Sequence, residues 1–383
     1  MNKKVAILTQ PLKGNYGGII QNYALQQALL TLGYEPETIS REYFKDASDF
    51  RKFLARVKNN LIGLVKGNKK KIFSSKEADL IFAENFRFIK TYINKSKSIY
   101  NTAEMQTYFS QHNFDAIIVG SDQTWRPKYS PNIYNYFLDF VSNDAKPVKL
   151  TYATSFGTDQ WEFSEEQTIR CKQLVQTFKA ISVREESAVK LCKEYLDCDA
   201  QWVLDPTMLL TKSHYLELIN QEITNKPSVF NYVLDRDPEK QAVLKEIANF
   251  LGTELFTTQP KKAIENGPVY DFENIEDYKY PSLESWLKSF AEASFVVTDS
   301  FHGTVFSIIF NKPFLSIVNE ERGASRFYSL LKKFGLEHRL LVDYKKLNLD
   351  LLKEAIDYDK INNVLQEERE KSLAFLRSNL FES

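Results

Sequence analysis

Short, unbroken apolar runs that recur between stretches of helical spacing constrain this chain more than any other feature. Val5-Ala6-Ile7-Leu8 is the first of them. Four consecutive apolar residues cannot alternate between a core and water, so such a strand is covered on both faces, as in a parallel sheet flanked by helices. A loop containing Gly14, Gly17 and Gly18 follows. Residues 20–32 have helical period, Gly33 stops them, and residues 37–40 read as the next strand, which makes a βαβ opening. The alternation continues with strands at 114–120, 149–155, 180–183 and 201–204, and helices at 165–178 and 185–195. After a polar stretch at 212–227 it restarts: strands at 228–234, 254–258, 295–298 and 314–318, helices at 238–251, 282–293, 304–311 and 324–335.

Two such series in 383 residues predict an α/β chain of two Rossmann-like doubly wound domains facing a cleft, a GT-B-like architecture. The expected division is 1–211, with a helical insertion at about 46–112; then 212–358; then a helix over 359–383 placed to cross back to the first domain. A ligand site is expected where the strand ends of both sheets face the cleft.

Composition excludes several classes. Lys plus Arg and Asp plus Glu both number 50, so no whole-chain basic field for nucleic acid exists. The three cysteines, Cys171, Cys192 and Cys198, form no C-x-x-C pair; a disulfide framework or a structural zinc is not expected, and reduced cytosolic thiols fit better. The apolar run after Met1 is too short for a signal peptide, and no run approaches the ~18 residues of a membrane span. A cytoplasmic protein is expected. Residues 51–71 combine Phe53, Leu54, Val57, Leu61, Leu64 and Val65 at helical spacing with eight cations and no acid. Such a segment either packs on its own protein or lies against an anionic membrane as a peripheral contact.

Five junctions between strand and helix hold residues able to do chemistry. In Asn15-Tyr16-Gly17-Gly18, glycines let the backbone approach a ligand, although the spacing fits neither a dinucleotide fingerprint nor a P-loop; the plain alternative is a turn. In Gly120-Ser121-Asp122-Gln123-Thr124-Trp125, Asp122 is a candidate base, Asn15, Gln123 and Tyr152 are candidate sugar contacts, and Trp125 is a candidate stacking face, against a helix cap with Trp125 in the core. Arg184 follows a strand and can grip a carboxylate or phosphate, or merely pair with Glu185 or Glu186. Asp299-Ser300-Phe301-His302-Gly303-Thr304 leads from a strand into a helix whose free N–H groups suit a phosphate, with His302 as acid or base. Arg322 and Arg326 can add charge to that anion site, or remain solvated.

At these residues the chain resembles the polysaccharide pyruvyl transferase family. The resemblance spans residues 5–335 and rests on the 14–21 loop, Gly120-Ser121-Asp122-Gln123-x-Trp125, Ile181-Ser182-Val183-Arg184, and Asp299-Ser300-Phe301-His302-Gly303. It implies two Rossmann-like lobes and transfer of a pyruvyl group from phosphoenolpyruvate, as co-substrate with no other cofactor, to a sugar. Acceptors in the family are often glycans on a polyprenyl diphosphate, which suits a basic segment at the inner face of the membrane. Carried over by position, Arg184 and His302 fall at the donor site. Members often have Arg-Leu-His where this chain has Ser300-Phe301-His302; either Arg322 or Arg326 supplies the missing charge, or the donor differs.

The expected donor set is therefore Arg184, Ser300, His302, Gly303, Thr304, Arg322 and Arg326, on the second domain's side. The acceptor set is Asn15, Tyr16, Gly17, Gly18, Asp122, Gln123 and Trp125, with His302 and Asp122 moving protons and no metal. A nucleotide-sugar glycosyltransferase on the same scaffold and a non-catalytic glycan-binding member of an assembly complex are the alternatives.

Overall fold

The computed structural model describes residues 3–43, 75–142, 146–225, 227–262, 274–318 and 323–380. The basic segment 51–71 and Arg322 lie outside them.

The first sheet contains β1 (Lys4–Leu8), β2 (Glu35–Ile39), β3 (Ala116–Val119) and β4 (Val148–Thr151), in the order β2-β1-β3-β4. Parallel bridges Leu150–Ala180 and Thr154–Val183 extend it to a pair formed by β5 (Ser182–Val183) and β6 (Gln201–Trp202). The second sheet is β7 (Ser228–Tyr232), β8 (Glu254–Phe256), β9 (Phe295–Thr298), β10 (Phe314–Ile317) and β11 (Leu340–Leu341), in the order β11-β10-β9-β7-β8. Every strand pairing in both is parallel, so the C-terminal ends of each sheet share one edge. The continuous apolar runs become strands with buried side chains on both faces; Ala116–Val119 and Phe295–Val297 are examples.

The helices, in chain order, are α1 (Tyr16–Thr31), α2 (Ser75–Ile81), α3 (Ala83–Tyr92), α4 (Thr102–Gln111), α5 (Glu165–Val175), α6 (Glu186–Leu191), α7 (Lys212–Ile219), α8 (Pro238–Leu251), α9 (Leu283–Glu292), α10 (Phe301–Ile309), α11 (Ser325–Phe334) and α12 (Tyr358–Leu380). Local chemistry sets several ends. Ser164 and Gln167 form a capping box at α5; Asp237 caps α8 ahead of Pro238, and Gly252 ends that helix at φ +62°. The described part of the 46–112 stretch holds α2, α3 and α4, but residues 93–101 between α3 and α4 are non-helical and bridge in parallel at Thr38–Lys95 and Arg41–Ile99.

The two sheets are joined by apolar packing as well as by chain. Tyr16, Ile19, Ile20 and Tyr23 of α1 share one buried cluster with Trp286, Phe290, Phe306 and Phe327 from the second sheet's helices. Helix α12 touches both units. Ile361 and Leu365 join that mixed cluster, whereas Phe375, Leu376 and Leu380 pack with Val5, Ile7 and Tyr152 under the first sheet. Ser372 Oγ accepts from the Leu204 amide, and Arg369 donates to the carbonyls of Met208 and Leu210. No described helix is long and apolar enough to cross a membrane.

Candidate active site

Parallel pairing brings the residues that follow β3, β5 and β6 to one edge of the first sheet. Asp122 and Ser121 come after β3, Arg184 immediately after β5, and Asp205 shortly after β6. From the other lobe, β9 delivers Phe301 and His302 in the first turn of α10. These side chains meet in a buried cluster. Asp205 Oδ2 accepts from Arg184 Nη1 at 2.8 Å and from Ser121 Oγ at 3.2 Å, and lies 3.5 Å from His302 Nε2. Its Oδ1 accepts from the Thr207 amide at 3.0 Å and from Thr207 Oγ1 at 2.7 Å. The Arg184 guanidinium stacks 4.4 Å from the Phe301 ring centre, and that of Arg326 lies 5.7 Å from the same ring.

The atoms left over define what this cluster can bind. Nε and Nη2 of Arg184, and Nε2 of His302, are buried with no hydrogen-bond partner among the described residues. Nη2 is 3.9 Å from Asp122 Oδ1, an ion pair without a hydrogen bond. Buried N–H groups left unpaired are costly, and those of a cation more so. Nε and Nη2 carry the two parallel N–H bonds along one edge of the guanidinium, the fork that takes a carboxylate or phosphate by two oxygens.

Charge in the cluster is held firmly. Burial works to raise the Asp205 pKa, but His302, Arg184 and the Thr207 hydrogen bond outweigh it and hold the carboxyl far below the usual carboxylate range. Burial works against the Arg184 cation, and the nearby Asp205, Asp122 and Glu185 more than compensate. Arg326 fares differently: burial, and then repulsion from Arg184, lower its pKa to about 10. Glu185, one of the partners expected for Arg184, instead accepts from Ser155 Oγ and the amides of Phe156 and Gly157, and Glu186 pairs with Lys332.

The other expected site residues separate into two groups. Asn15, Gly18 and Asp122 are brought together: Asn15 Nδ2 is 3.5 Å from Asp122 Oδ2, and a Cβ on Gly18 would sit 3.4 Å from that oxygen. Asp122 has φ +74°, a left-handed backbone uncommon for a residue with a side chain and tolerated best by Asn and Asp. Gly17 approaches His302 so closely that a Cβ there would lie 2.0 Å from Nδ1. Ser300 is half-buried and its Oγ accepts from the Gly303 amide as the cap of α10. Gln123 spends Oε1 on Arg126.

Six expectations are corrected. Trp125 is fully buried, stacked 4.6 Å from Phe137, with Nε1 donating to the Tyr136 carbonyl, so its faces are filled by core residues rather than a sugar. Tyr16 packs among Tyr280 and Trp286 of the second lobe and donates to the Pro281 carbonyl; it joins lobes instead of lining an acceptor site. Thr304 is buried with its hydroxyl shared between the Ser300 carbonyl and Ser316 Oγ. Gly303 is glycine because a Cβ would lie 2.1 Å from Thr298 Oγ1, which is a packing demand. The weaker candidate Tyr152 is likewise in the core, donating to the Leu204 carbonyl. His302, expected in a loop, stands inside α10.

Asp205 and Phe301 are the residues that sequence reasoning passed over. Asp205 reads as a strand stop before Pro206, and Phe301 as an apolar residue between polar ones. The available signal was position: Asp205 follows a buried strand of the same parallel series as Asp122 and Arg184.

Comparison with solved structures shows the same architecture. Arabidopsis thaliana UGT89C1, solved with UDP-L-rhamnose, superposes with a TM-score of 0.53 at 10% identity over 99% of each chain. S. aureus MnaA, solved with UDP, gives 0.51 at 10% identity over 100% of this chain and 98% of that one. The glycotransferase of kitacinnamycin gives 0.50 at 9% identity over 100% of both. At these identities the likeness is one of fold, and the fold is GT-B-like. No curated protein matches the chain in sequence. The profile of the polysaccharide pyruvyl transferase family matches residues 15–321, a span that runs from the α1 start through Asp122, Arg184, Asp205 and His302. The chain belongs to the polysaccharide pyruvyl transferase family and is a transferase.

Proposed function

We propose that the protein transfers the pyruvyl group of phosphoenolpyruvate to a sugar of a surface or capsular polysaccharide, or of its lipid-linked precursor, as a cyclic ketal. The observation that carries this reading is the Nε–Nη2 edge of buried Arg184, which has no hydrogen-bond partner among the described residues and lies beside His302 and Arg326. A small donor with a carboxylate and a phosphate matches such a fork and a second cation. Phosphoenolpyruvate has both; a neutral sugar has neither.

The chemistry divides among these groups. Protonation of the methylene carbon makes C2 electrophilic, and one sugar hydroxyl adds to it. Phosphate then leaves and a second hydroxyl closes the ketal. Of the two hydroxyl protons, one is balanced by the new methyl hydrogen and the other leaves with phosphate. Arg184 holds the donor anion, with Arg326 supplying charge where Ser300 stands in place of the family arginine. His302 contacts phosphate or moves a proton, and Asp122, beside Asn15 and Gly18, is the acceptor-side base. The setting is cytoplasmic, with residues 51–71 offering a peripheral contact to the membrane that carries a polyprenyl-linked acceptor.

Thermal shift tests the donor directly. Phosphoenolpyruvate raises the melting temperature of the wild-type protein, and Arg184→Ala removes that shift while the variant still melts cooperatively. Stabilisation by a nucleoside diphosphate, with none by phosphoenolpyruvate, refutes the pyruvyl reading in favour of a nucleotide-sugar donor.

A further inference from the structure

Building on the donor-binding reading above, we infer that Asp205 is a positioning residue that fixes the anion-binding edge of Arg184 and sets His302, from the opposite lobe, in register with it.

A guanidinium offers a two-oxygen fork only if its plane is fixed. Arg184 is fixed at two places. Asp205 Oδ2 takes Nη1 at 2.8 Å, and the Phe301 ring lies 4.4 Å away against the guanidinium. Taking Nη1 leaves Nε and Nη2, the other edge, without a partner among the described residues. Had Asp205 engaged Nη2 and Nε, the fork would be filled by protein.

Asp205 is itself held. Both Oδ1 bonds come from Thr207, amide and hydroxyl, and pin the rotation of the carboxylate, so Oδ2 has a defined direction. That oxygen also accepts from Ser121 Oγ and stands 3.5 Å from His302 Nε2. Arg184, Ser121 and Asp205 come from the first lobe and His302 from the second. One oxygen atom is thus the point at which the donor-side groups of both lobes meet. Without its charge, Arg184 and Arg326 would flank Phe301 beside His302, with the Asp122 carboxylate 3.9 Å from Arg184.

A purely structural role is the rival, because Oδ1 also caps the short turn beginning at Pro206. A double-mutant cycle on phosphoenolpyruvate affinity separates the two. Asp205→Asn keeps shape and the acceptor for Thr207 but removes the charge at Arg184. Measured by calorimetric titration below its melting transition, it weakens phosphoenolpyruvate roughly tenfold or more, as loss of a charge-assisted contact implies. In an Arg184→Ala background the same change costs less than about twofold, since there is no guanidinium left to position. The ring nitrogens of His302, assigned by their disappearance in His302→Gln, shift in the 15N spectrum of Asp205→Asn, which a turn cap alone would not cause. Wild-type affinity in folded Asp205→Asn, an undiminished effect in the Arg184→Ala background, or an unmoved His302 spectrum overturns the assignment. If the wild-type protein does not bind phosphoenolpyruvate, the donor reading falls first. The same cycle with inorganic phosphate then decides whether Asp205 positions an anion-binding edge: phosphate affinity that ignores Asp205→Asn ends the proposal, and affinity that depends on it through Arg184 sustains it.

Discussion

Gly17→Ala sets two physical effects against each other at the junction of the lobes. Gly17 lies in the first turn of α1, where replacing glycine by alanine favours a helix by up to ~1 kcal/mol. Packing opposes this. A Cβ at Gly17 would stand 2.0 Å from His302 Nδ1, 2.6 Å from Cγ and 2.8 Å from Cε1, where ordinary contact begins at 3.4 Å. The ring and the helix must therefore part by about 1 Å or more. His302 has little room to yield, because α10 is wedged by Gly303 against Thr298 and by Thr304 against Ser316. Overpacking of this kind costs ~1–3 kcal/mol, so the net change is a loss of stability despite the better helix former. On the proposed reading of His302 as a proton-transferring or donor-binding group, a displacement of ~1 Å there costs on the order of 100-fold in turnover. The assay is phosphate release from phosphoenolpyruvate with an acceptor glycan, alongside a melting curve. Gly18→Ala is the comparison. Its Cβ would meet the flexible Asn15 amide at 3.2 Å and Asp122 Oδ2 at 3.4 Å, so its loss is smaller. A Gly17→Ala protein that melts higher than wild type and turns over at the wild-type rate refutes both the packing argument and the placement of His302 in the site.

Two further outcomes follow from the buried charges. Arg326→Met, close in volume but neutral, raises the melting temperature of the ligand-free protein, because burial and Arg184 disfavour the Arg326 cation, while it reduces the added protection given by phosphoenolpyruvate; a fall in ligand-free stability with full protection contradicts this. Asp205 has a depressed pKa in the folded state, so its stabilisation is complete above the unfolded carboxylate value of about 4, declines as pH falls below it, and is gone only beneath the folded value. Melting curves of wild type and Asp205→Asn therefore differ most above about pH 4 and converge in stronger acid; parallel curves down to low pH refute the ionised, paired carboxylate.

The fold was legible because burial on both faces leaves a strong trace in sequence. Residues 295–298 and 238–251 fall on a strand and a helix with the same ends in the structure. The site was legible only in part, and the reason is physical. A polar residue after a buried strand must emerge at one edge of a parallel sheet, which located Asp122, Arg184 and His302. Whether its neighbour points outward or back into the core depends on packing that no spacing reveals. Trp125 found Phe137 and a backbone acceptor, and Tyr16 found an aromatic pocket on the other lobe. Their chemistry suits a sugar platform equally well, so residue type could not decide between them. Asp205 was missed for the opposite reason: an aspartate before a proline has an adequate local explanation as a cap, and its second oxygen reaches groups that are distant in sequence, Ser121 and His302 among them.

On the proposed reading, Ser300 stands where the resemblance implies an arginine, and that difference can be weighed against this cluster on charge alone. Glu185 commits one oxygen to two backbone amides and a serine, yet it and Asp122 still act to raise the Arg326 pKa against burial and Arg184. Burial and then repulsion from Arg184 outweigh those carboxylates and leave the Arg326 pKa lowered, and an anion entering beside a buried cation favours its charged form. With serine at position 300, the guanidiniums of Arg184 and Arg326 both face the Phe301 ring. On the proposed reading, the positive charge has moved along the chain from the start of α10 to the start of α11. Those two helices flank β10, so the shift changes which element delivers the charge without moving it out of the cluster.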